Sequence, residues 1–240
     1  MLLILIYWLY LFLILSSIGN AVISIIANNS VNQIFIPVLG LFATTLIASM
    51  FAIFDGLSQS FEISLFVLGL TLFIAFRNSY VRYIRKLFST FLHFSFLIRA
   101  LFICILILAA MQSATAPYLV DNESYYLPTI KWLDTYGFVP GLANLHIFLG
   151  QTSGWHICQS ALNLEFLYSE FIDINGFFLL SGTFYAFDKL NDFLNNKNDF
   201  HLLIIGLFPL FSVLLFQFIS SPSPDLPVYV LTLLITGEYL

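Results

Sequence analysis

LLILIYWLYLFLILSSI, residues 2–18, is the stretch that decides the fold class, because it contains no charged side chain. A bilayer core of about 30 Å takes roughly 20 apolar helical residues, so this stretch predicts a membrane-spanning helix. It lacks the basic region of a secretory signal peptide, which favours a retained span. The whole chain is similarly apolar, with 60% hydrophobic residues, 9% charged residues and a mean hydropathy of +0.96. Lipid is therefore the expected solvent for most of the surface.

Further apolar runs bounded by polar residues predict more spans. With the first, they are Leu2–Ile18, Ile34–Phe54, Phe61–Phe76, Phe91–Met111, Phe177–Phe187 with its neighbours, and Leu202–Ile219. The last run, Val228–Leu240, is short and contains Glu238, so truncation of a longer chain is a simpler interpretation than partial insertion. We predict an all-α fold, a polytopic transmembrane helical bundle of about six to eight spans.

The polar stretch Arg77–Lys86 sets the predicted orientation. It is interpreted as a loop and holds Arg77, Arg82, Arg85 and Lys86, half of the eight Lys and Arg residues. The positive-inside rule places it in the cytoplasm, so the N-terminus and the loop after Met111 lie outside. With a net charge of −5 and basic residues this localised, nothing suggests a nucleic-acid partner.

The predicted spans divide the chain into three segments: N-terminal spans over 1–111, an external loop with interfacial helices over 112–174, and further spans over 175–240. In the loop, Tyr125–Tyr136 is predicted to form a short interfacial helix, for which Gly137 offers a C-cap. Trp155–Tyr168 is predicted to be a second interfacial helix that does not cross the membrane. A poor span is the alternative, and it would invert the order of the later segments and make Asp225 cytoplasmic.

A Pro-rich segment, Ser220–Pro227, is expected to return to the outer face. Lys189 and Lys197 favour a cytoplasmic connection over Asp188–His201, so the next span runs outward. Three prolines then prevent a continuing helix. We expect this segment to lie beside the 112–174 loop and to bring Asp225 to the site; an ordinary Pro-capped turn is the alternative.

Two carboxylates, Asp121 and Glu123, open the external loop. Carboxylates at this spacing can bind a divalent cation through hard oxygen ligands, or one can act as a base while the other positions substrate. Solvated loop residues are the plain alternative. The sequence alone does not decide whether these carboxylates bind a metal ion.

The motifs of the loop carry a family resemblance. They are Asp121, Tyr125, Ile130-Lys131-Trp132, Tyr136-Gly137 and Pro140-Gly141-Leu142-x-Asn144-Leu145-His146. This order resembles the first external loop of the GT-C glycosyltransferases, multi-span enzymes that use polyprenyl-phosphate sugars. It is most similar to a bacterial family of GT-C-like membrane proteins with Tyr-Asp-x-x-x-Tyr-His, Ile-Lys-Trp and Val-Pro-Gly-Leu-Gly-Asn-Leu-His. Tyr126 stands where that pattern has His, Ala143 where it has Gly, and Ile147-Phe148 where it has Gly-Arg.

The resemblance implies roles for individual residues. Asp121 would be the catalytic base that deprotonates an acceptor hydroxyl, or a metal-linked acid. The proposed substrate-binding residues are Tyr125, Lys131, Asn144 and His146 of these motifs, together with three residues that the resemblance does not place, Glu123, Arg99 and Asp225. Lys131 either stabilises the leaving lipid phosphate or extends to lipid headgroups. Arg99 is expected near the middle of its span, either paired with Glu165, Glu170 or Asp173 or facing a lipid-phosphate cavity.

The function implied is transfer of a sugar from a polyprenyl-phosphate donor to a cell-envelope acceptor, at the outer face of the bacterial inner membrane. The partners would then be membrane lipid and that donor. An envelope polysaccharide polymerase or a flippase-like protein is a second class, and a non-catalytic scaffold that lost the site is a third.

The orientation is testable with reporter fusions. We predict that fusions at Asn122 and at Asn78 report opposite sides of the membrane, because the basic residues fix one side and a single span separates the two positions. The measurement is the activity of a reporter that folds on only one side. The same side for both would contradict the predicted topology and an external Asp121.

Overall fold

The computed structural model describes residues 1–26, 32–117, 119–164, 174–196 and 200–239. These residues contain helices and connecting turns but no strand, which confirms the all-α class. The α-helices are α1 (Leu2–Ile26), α2 (Phe35–Phe51), α3 (Gln59–Ala75), α4 (Arg77–His93), α5 (Phe96–Ser113), α6 (Leu127–Tyr136), α7 (Gly154–Ala161), α8 (Ile174–Asn196), α9 (Phe200–Gly206), α10 (Phe208–Phe211) and α11 (Asp225–Tyr239). A π-helical turn covers Asn122–Tyr126, and 3-10 turns cover Leu142–Asn144, Ile147–Gly150 and Ser212–Phe218.

Two of the described helices, α1 and α5, are long and apolar enough to cross a membrane. A third crossing is obtained if α3 and α4, which bend by 89° relative to each other, are taken as one broken span. Helix α2 and the stretch Phe200–Leu210 are shorter apolar helices. One hydrophobic core includes Leu15 from the first predicted segment, Leu133 from the loop and Leu234 from the last, so the three segments pack together.

Small residues allow α1 and α2 to pack antiparallel with their backbones in contact. A Cβ on Gly19 would overlap the carbonyl oxygen of Ile36, and a Cβ on Gly40 would overlap that of Leu15. Small residues at a helix interface permit this close approach, which adds van der Waals contact where lipid supplies no hydrophobic driving force.

Backbone and side-chain contacts define two ends of this helical array. At the first, which we name the loop end, Phe138 N donates to Ala52 O (2.7 Å) at the C-terminus of α2. At the second, which we name the basic end, Ser79 Oγ in α4 donates to Asn20 Oδ1 (3.0 Å), close to where α2 begins. The loop that contains α6 and the basic residues of α4 therefore lie at opposite ends of α2.

The prediction of a loop over Arg77–Lys86 is wrong, because these residues form the first part of helix α4. Its buried face carries Tyr80 and Tyr83. The Tyr80 hydroxyl oxygen lies 3.2 Å from Ser16 Oγ, and the Tyr83 ring stacks on that of Phe12 with 6.2 Å between ring centroids. The four basic residues are exposed. The polar residues thus mark the solvent face of an amphipathic helix, a pattern with a period of 3.6 residues, and not a break in the chain.

The boundary between α4 and α5 also corrects the position of Arg99. Helix α4 extends to His93, and Ser95 caps α5 by accepting the N–H of Ile98 at 3.4 Å. Arg99 therefore lies in the first turns of α5 and not in the middle of a span. The proposed partners Glu165, Glu170 and Asp173 lie outside the described residues.

Two further helix boundaries, at the end of α8 and within the predicted span Leu202–Ile219, differ from the prediction. Helix α8 continues through the predicted polar connection as far as Asn196. The predicted span Leu202–Ile219 is broken into α9, α10 and a 3-10 turn. The break falls between Gly206, which contacts Leu190 of α8, and Pro209, which has no backbone N–H to donate.

Helix α7 agrees with the prediction that it does not cross, since eight residues are far too few for a span. It is not a surface helix, however, because every residue from His156 to Ala161 is buried. The polar side chains of this helix face protein and not headgroups. The remainder of the predicted helix, residues 165–168, lies outside the described residues.

The C-cap of α6 is confirmed at Gly137, which has φ +68° and ψ −143°. This region is essentially restricted to glycine, and a Cβ would also overlap the carbonyl oxygen of Ala52.

We predict that Gly137→Ala lowers the free energy of unfolding by more than about 1–3 kcal/mol, because backbone strain and overlap act together. The measurement is thermal unfolding of the purified protein in detergent. Gly154→Ala is the matched control, since its Cβ would meet only Thr45 Cγ2 at 3.6 Å. Equal melting temperatures for the two variants would contradict this account of the cap.

Candidate functional site

A buried asparagine, Asn175 in the first turn of α8, is the centre of a polar network at the loop end. Its Nδ2 donates to the carbonyl oxygens of Phe218 (2.8 Å), Ser221 (2.6 Å) and Ser223 (2.9 Å). Its Oδ1 accepts from Trp155 Nε1 (2.8 Å) and Gln159 Nε2 (3.4 Å) of α7. One side chain thus joins α7, α8 and the Pro-rich segment.

The Pro-rich segment contacts the start of the external loop directly. Ser221 Oγ donates to Asn122 Oδ1 at 2.6 Å and accepts the N–H of Ser223 at 3.2 Å. Ser223 Oγ in turn donates to Asp225 Oδ2 (2.6 Å) and accepts the N–H of Asp225 (3.2 Å), just before and at the start of α11. The expectation that 220–227 lies beside this loop is confirmed, and its substrate-binding role stays a prediction.

Tyr125 lies between the two segments. Its ring packs on Tyr126 at 4.3 Å. Partial burial raises the pKa of Tyr125, and its hydrogen bond with Tyr126 and the nearby negative charges of Asp121 and Asp225 raise it further. The Tyr125 phenol is therefore neutral at physiological pH, with one carboxylate from each segment close enough to influence it. Asp121 and Asp225 are both exposed, whereas Asn122, which follows Asp121 and hydrogen-bonds to Ser221, is fully buried.

A row of aromatic rings, formed by Tyr125, Phe148 and His146, connects the region around Tyr125 to the Pro140-Gly141-Leu142 motif. The ring of Phe148 lies 5.0 Å from Tyr125 and 5.4 Å from His146. His146 and Asn144 are exposed. The structure thus places His146 near the carboxylates through Phe148, one of the two positions where the chain departs from the Gly-Arg of the similar family.

A cavity of about 370 Å³ opens beside this row, between α6 and the turns that follow it. Its lining includes Trp132, Thr129 and the backbone around Gly141. Thr129 is 2% exposed, and its Oγ1 has no hydrogen-bond partner among the described residues. A small ligand with a hydroxyl group fits such a lining, since few polar groups in a mostly apolar pocket fix orientation.

Helix α7 forms the buried floor. Ser153 and His156 make a capping box, in which the hydroxyl accepts the His156 N–H and His156 Nδ1 accepts the Ser153 N–H, both at 3.3 Å. Burial lowers the pKa of His156 to about 4, so the ring is neutral at pH 7. Because Nδ1 accepts, the proton is on Nε2, which is buried and has no hydrogen-bond partner among the residues that the structure describes. The ring of Tyr126 packs on His156 at 5.3 Å.

The C-terminus of α7 is held by two groups from the N-terminal helices. Tyr7 of α1 donates its hydroxyl to Leu162 O at 2.8 Å, and Leu164 N donates to the buried carboxylate of Glu62 at 2.6 Å. These contacts satisfy backbone groups that the end of a helix leaves without partners.

Four of the predicted site residues are not shown in contact with this cluster among the described residues, namely Glu123, Lys131, Asn144 and Arg99. Asn144 is exposed and contacts Gly141. Arg99 lies in α5 at the basic end. Lys131 lies on the exposed face of α6 and forms no ion pair within the part of the chain that the structure describes. Glu123 is exposed, and no contact with Tyr125 or Asp225 is shown for it. In the described ranges, no three His, Cys, Asp or Glu side chains form a group that could hold a metal ion.

Six residues that form the buried floor of the candidate site were not among those predicted from the sequence. They are Asn122, Trp155, His156, Gln159, Asn175 and Ser221. A signal was present, since polar amides in an otherwise apolar chain must find partners. Which of them pair depends on tertiary contacts between residues up to 99 positions apart.

Comparison with known families places the chain in one family over its full length. The chain belongs to the family described as "Domain of unknown function (DUF8201)", which matches residues 1–240. No curated protein and no solved structure matches the chain.

The network is testable by an isosteric substitution. We predict that Asn175→Asp lowers the free energy of unfolding by more than about 2 kcal/mol, because a carboxylate would replace an amide donor that faces three carbonyl oxygens. The measurement is thermal unfolding in detergent, with Asn144→Asp, an exposed position in the same end of the molecule, as control. Equal stability of the two variants would show that Asn175 does not hold the segments together.

Proposed function

We propose that this protein is a multi-pass, GT-C-like glycosyltransferase of the bacterial inner membrane. It transfers a sugar from a polyprenyl-phosphate donor to a hydroxyl group of a cell-envelope acceptor. The observation that carries the proposal is the hydrogen bond from Ser221 Oγ to Asn122 Oδ1 (2.6 Å), which brings the segments of Asp121 and Asp225 together at one end of a set of apolar helices. The motif resemblance of the loop supplies the reaction type.

The exposed carboxylate of Asp121 is suited to act as a general base. An acceptor hydroxyl is a poor nucleophile until its proton is removed, and a base held within hydrogen-bond reach contributes roughly 10²–10⁴-fold. In the transfer step, the acceptor oxygen forms a bond to the anomeric carbon and its proton passes to Asp121. The bond from that carbon to the phosphate oxygen breaks, and the lipid phosphate leaves with the electron pair.

Asp225 and Tyr125 are suited to position the acceptor. Ser223 fixes the Asp225 carboxylate through a hydrogen bond of 2.6 Å, and the neutral Tyr125 hydroxyl can donate to a substrate oxygen. The 370 Å³ cavity offers a place for the sugar ring, with the Trp132 ring as an apolar wall and the backbone around Gly141 on the other side. A divalent cation between the carboxylates is compatible with their chemistry.

The two ends of the array support the proposed topology. Basic residues concentrate on α4 at one end, and the carboxylates lie at the other. By the positive-inside rule the basic end is cytoplasmic, so the carboxylates face the outside, where lipid-linked sugars and envelope acceptors meet.

A non-catalytic scaffold is the second candidate, and one contact favours it. Tyr126 stands where the similar family has His, and its ring packs on the buried ring of His156 at 5.3 Å. A position that would carry a reactive imidazole is thus used for packing. An envelope polymerase or flippase-like protein is the remaining class, without a contact that favours it.

The test is a turnover assay on the purified full chain in lipid nanodiscs. A panel of polyprenyl-phosphate sugars is supplied with envelope lipids and glycans, and release of polyprenyl phosphate is measured by mass spectrometry. We predict turnover with at least one donor, and a loss of at least about 10²-fold in Asp121→Asn, which removes the base but keeps size and polarity.

Glu123→Gln is the matched control, because it neutralises an exposed carboxylate two residues away and is expected to keep most of the activity. Wild-type turnover in Asp121→Asn would remove Asp121 from the mechanism. Absence of turnover across the panel, in a protein that unfolds cooperatively, would favour the scaffold.

A further inference from the structure

Helix α4 leaves α3 at a right angle. The two helices are separated by one residue, Phe76, and bend by 89° relative to each other. Helix α3 runs in the same direction as α1, which is long enough to cross a membrane, because Phe66 stacks on Tyr10 and Gly69, one turn later, lies against Ile14. A helix at a right angle to this direction runs along the membrane surface at the basic end.

One side of α4 is held against the protein. Tyr80 and Tyr83 are buried against α1. Further along the helix, the ring of Phe91 packs edge-on to that of Phe102 of α5 with 6.0 Å between ring centroids. These contacts fix the rotation of α4 about its own axis. The remaining sides of the helix therefore face lipid or the aqueous phase.

The exposed surface of α4 carries two stripes side by side. Val81, Phe88 and Leu92 are 42%, 61% and 50% exposed, and their spacing places them on one line along the helix. The neighbouring line is polar and exposed and comprises Arg82, Arg85, Lys86, Ser89 and His93. Helix α4 contains no Asp or Glu. Cations beside an apolar stripe are typical of a helix that lies in the membrane interface.

The arginines supply the charge that α4 leaves available. Arg77, Arg82 and Arg85 are exposed, and none of them forms an ion pair within the described ranges. Lys86 is compensated in part, because Asp188 of α8 is close enough to interact with it electrostatically. A guanidinium group suits phosphate, since its planar fork can donate two parallel hydrogen bonds to the phosphate oxygens.

We propose that α4 binds the anionic lipid surface of the cytoplasmic leaflet as an interfacial helix. Val81, Phe88 and Leu92 insert among the acyl chains. Arg82 and Arg85 contact lipid phosphates. In this arrangement α3 crosses the bilayer by itself, and α4 is not the second half of a broken span.

The two stripes together select this partner. A soluble acidic protein or a nucleic acid would pair with the cations but would leave the apolar stripe in water. An anionic leaflet accommodates both, because hydrocarbon solvates the apolar side chains and the negative surface potential attracts the arginines. Lipid binding at α4 does not depend on the glycosyltransferase activity, because α4 and Asp121 lie at opposite ends of the array.

Spin labels at neighbouring positions test the orientation of α4. In the full chain with Cys104 and Cys158 replaced by Ala, a nitroxide is attached to Phe88→Cys or, as the matched control, to Ser89→Cys. The protein is placed in nanodiscs of phosphatidylcholine and phosphatidylglycerol, and EPR measures collisions with oxygen and with a water-soluble nickel chelate. We predict that oxygen but not the chelate reaches the label at 88, whereas the chelate reaches the label at 89.

Spin-labelled lipids test the charge preference. EPR compares the immobilised fraction of spin-labelled phosphatidylglycerol with that of spin-labelled phosphatidylcholine in the same nanodiscs. We predict that Arg85→Gln lowers the preference for the anionic lipid roughly twofold or more, and that Arg85→Lys keeps most of it because the charge remains. Adding Arg82→Gln to Arg85→Gln should lower it further. Lys131→Gln, which removes one exposed cation at the loop end, is the matched control and should leave the preference unchanged.

Three results would overturn the proposal. Exclusion of the chelate from both labels would make α4 the second half of a broken span. Access of the chelate to both labels would place this face in water, where a soluble acidic partner becomes the alternative. Equal immobilisation of the two lipids, or an unchanged preference in the double variant, would show that α4 does not select anionic lipid. The substituted arginines are exposed, so thermal unfolding of these variants should match that of the wild type.

Discussion

The structure depends on one constraint: backbone groups at breaks between helices must find partners inside the protein. The Pro-rich segment leaves the carbonyl groups of Phe218, Ser221 and Ser223 outside regular helices, and Asn175 donates to all three. At the end of α7, the Tyr7 hydroxyl donates to Leu162 O and the Glu62 carboxylate accepts the N–H of Leu164. In an apolar surrounding, an unpaired backbone group costs several kcal/mol, so these few side chains determine where irregular backbone is tolerated.

The same contacts give the candidate site its geometry. Asn122 pairs with Ser221, so the residue next to Asp121 is tied to the segment that carries Asp225. The floor is buried and polar, whereas the carboxylates above it are exposed. A rigid floor below an open rim is what a site needs if it is to hold reacting groups in place while substrates enter. The π-helical turn over Asn122–Tyr126 fits this, since such turns occur frequently at functional sites.

The separation of the two ends organises the remaining features. Carboxylates, the aromatic row and the 370 Å³ cavity lie at the loop end, while the basic face of α4 and Arg99 lie at the other. Arg99, which was predicted to bind substrate, lies in the first turn of α5 and is not brought next to Asp121.

The sequence by itself determined the helical class, most of the apolar helices and the short helix α6 with its glycine cap, because hydrophobic runs and a required positive φ are local properties. It also indicated that 220–227 joins the external loop, through the balance of basic residues. Only the tertiary structure decided that Tyr80 and Tyr83 of α4 pack against α1, that α7 is buried, and that Asn175 connects three segments. Local patterns report which groups are polar, but the partner of a buried polar group comes from residues that are distant in sequence, and only packing selects it.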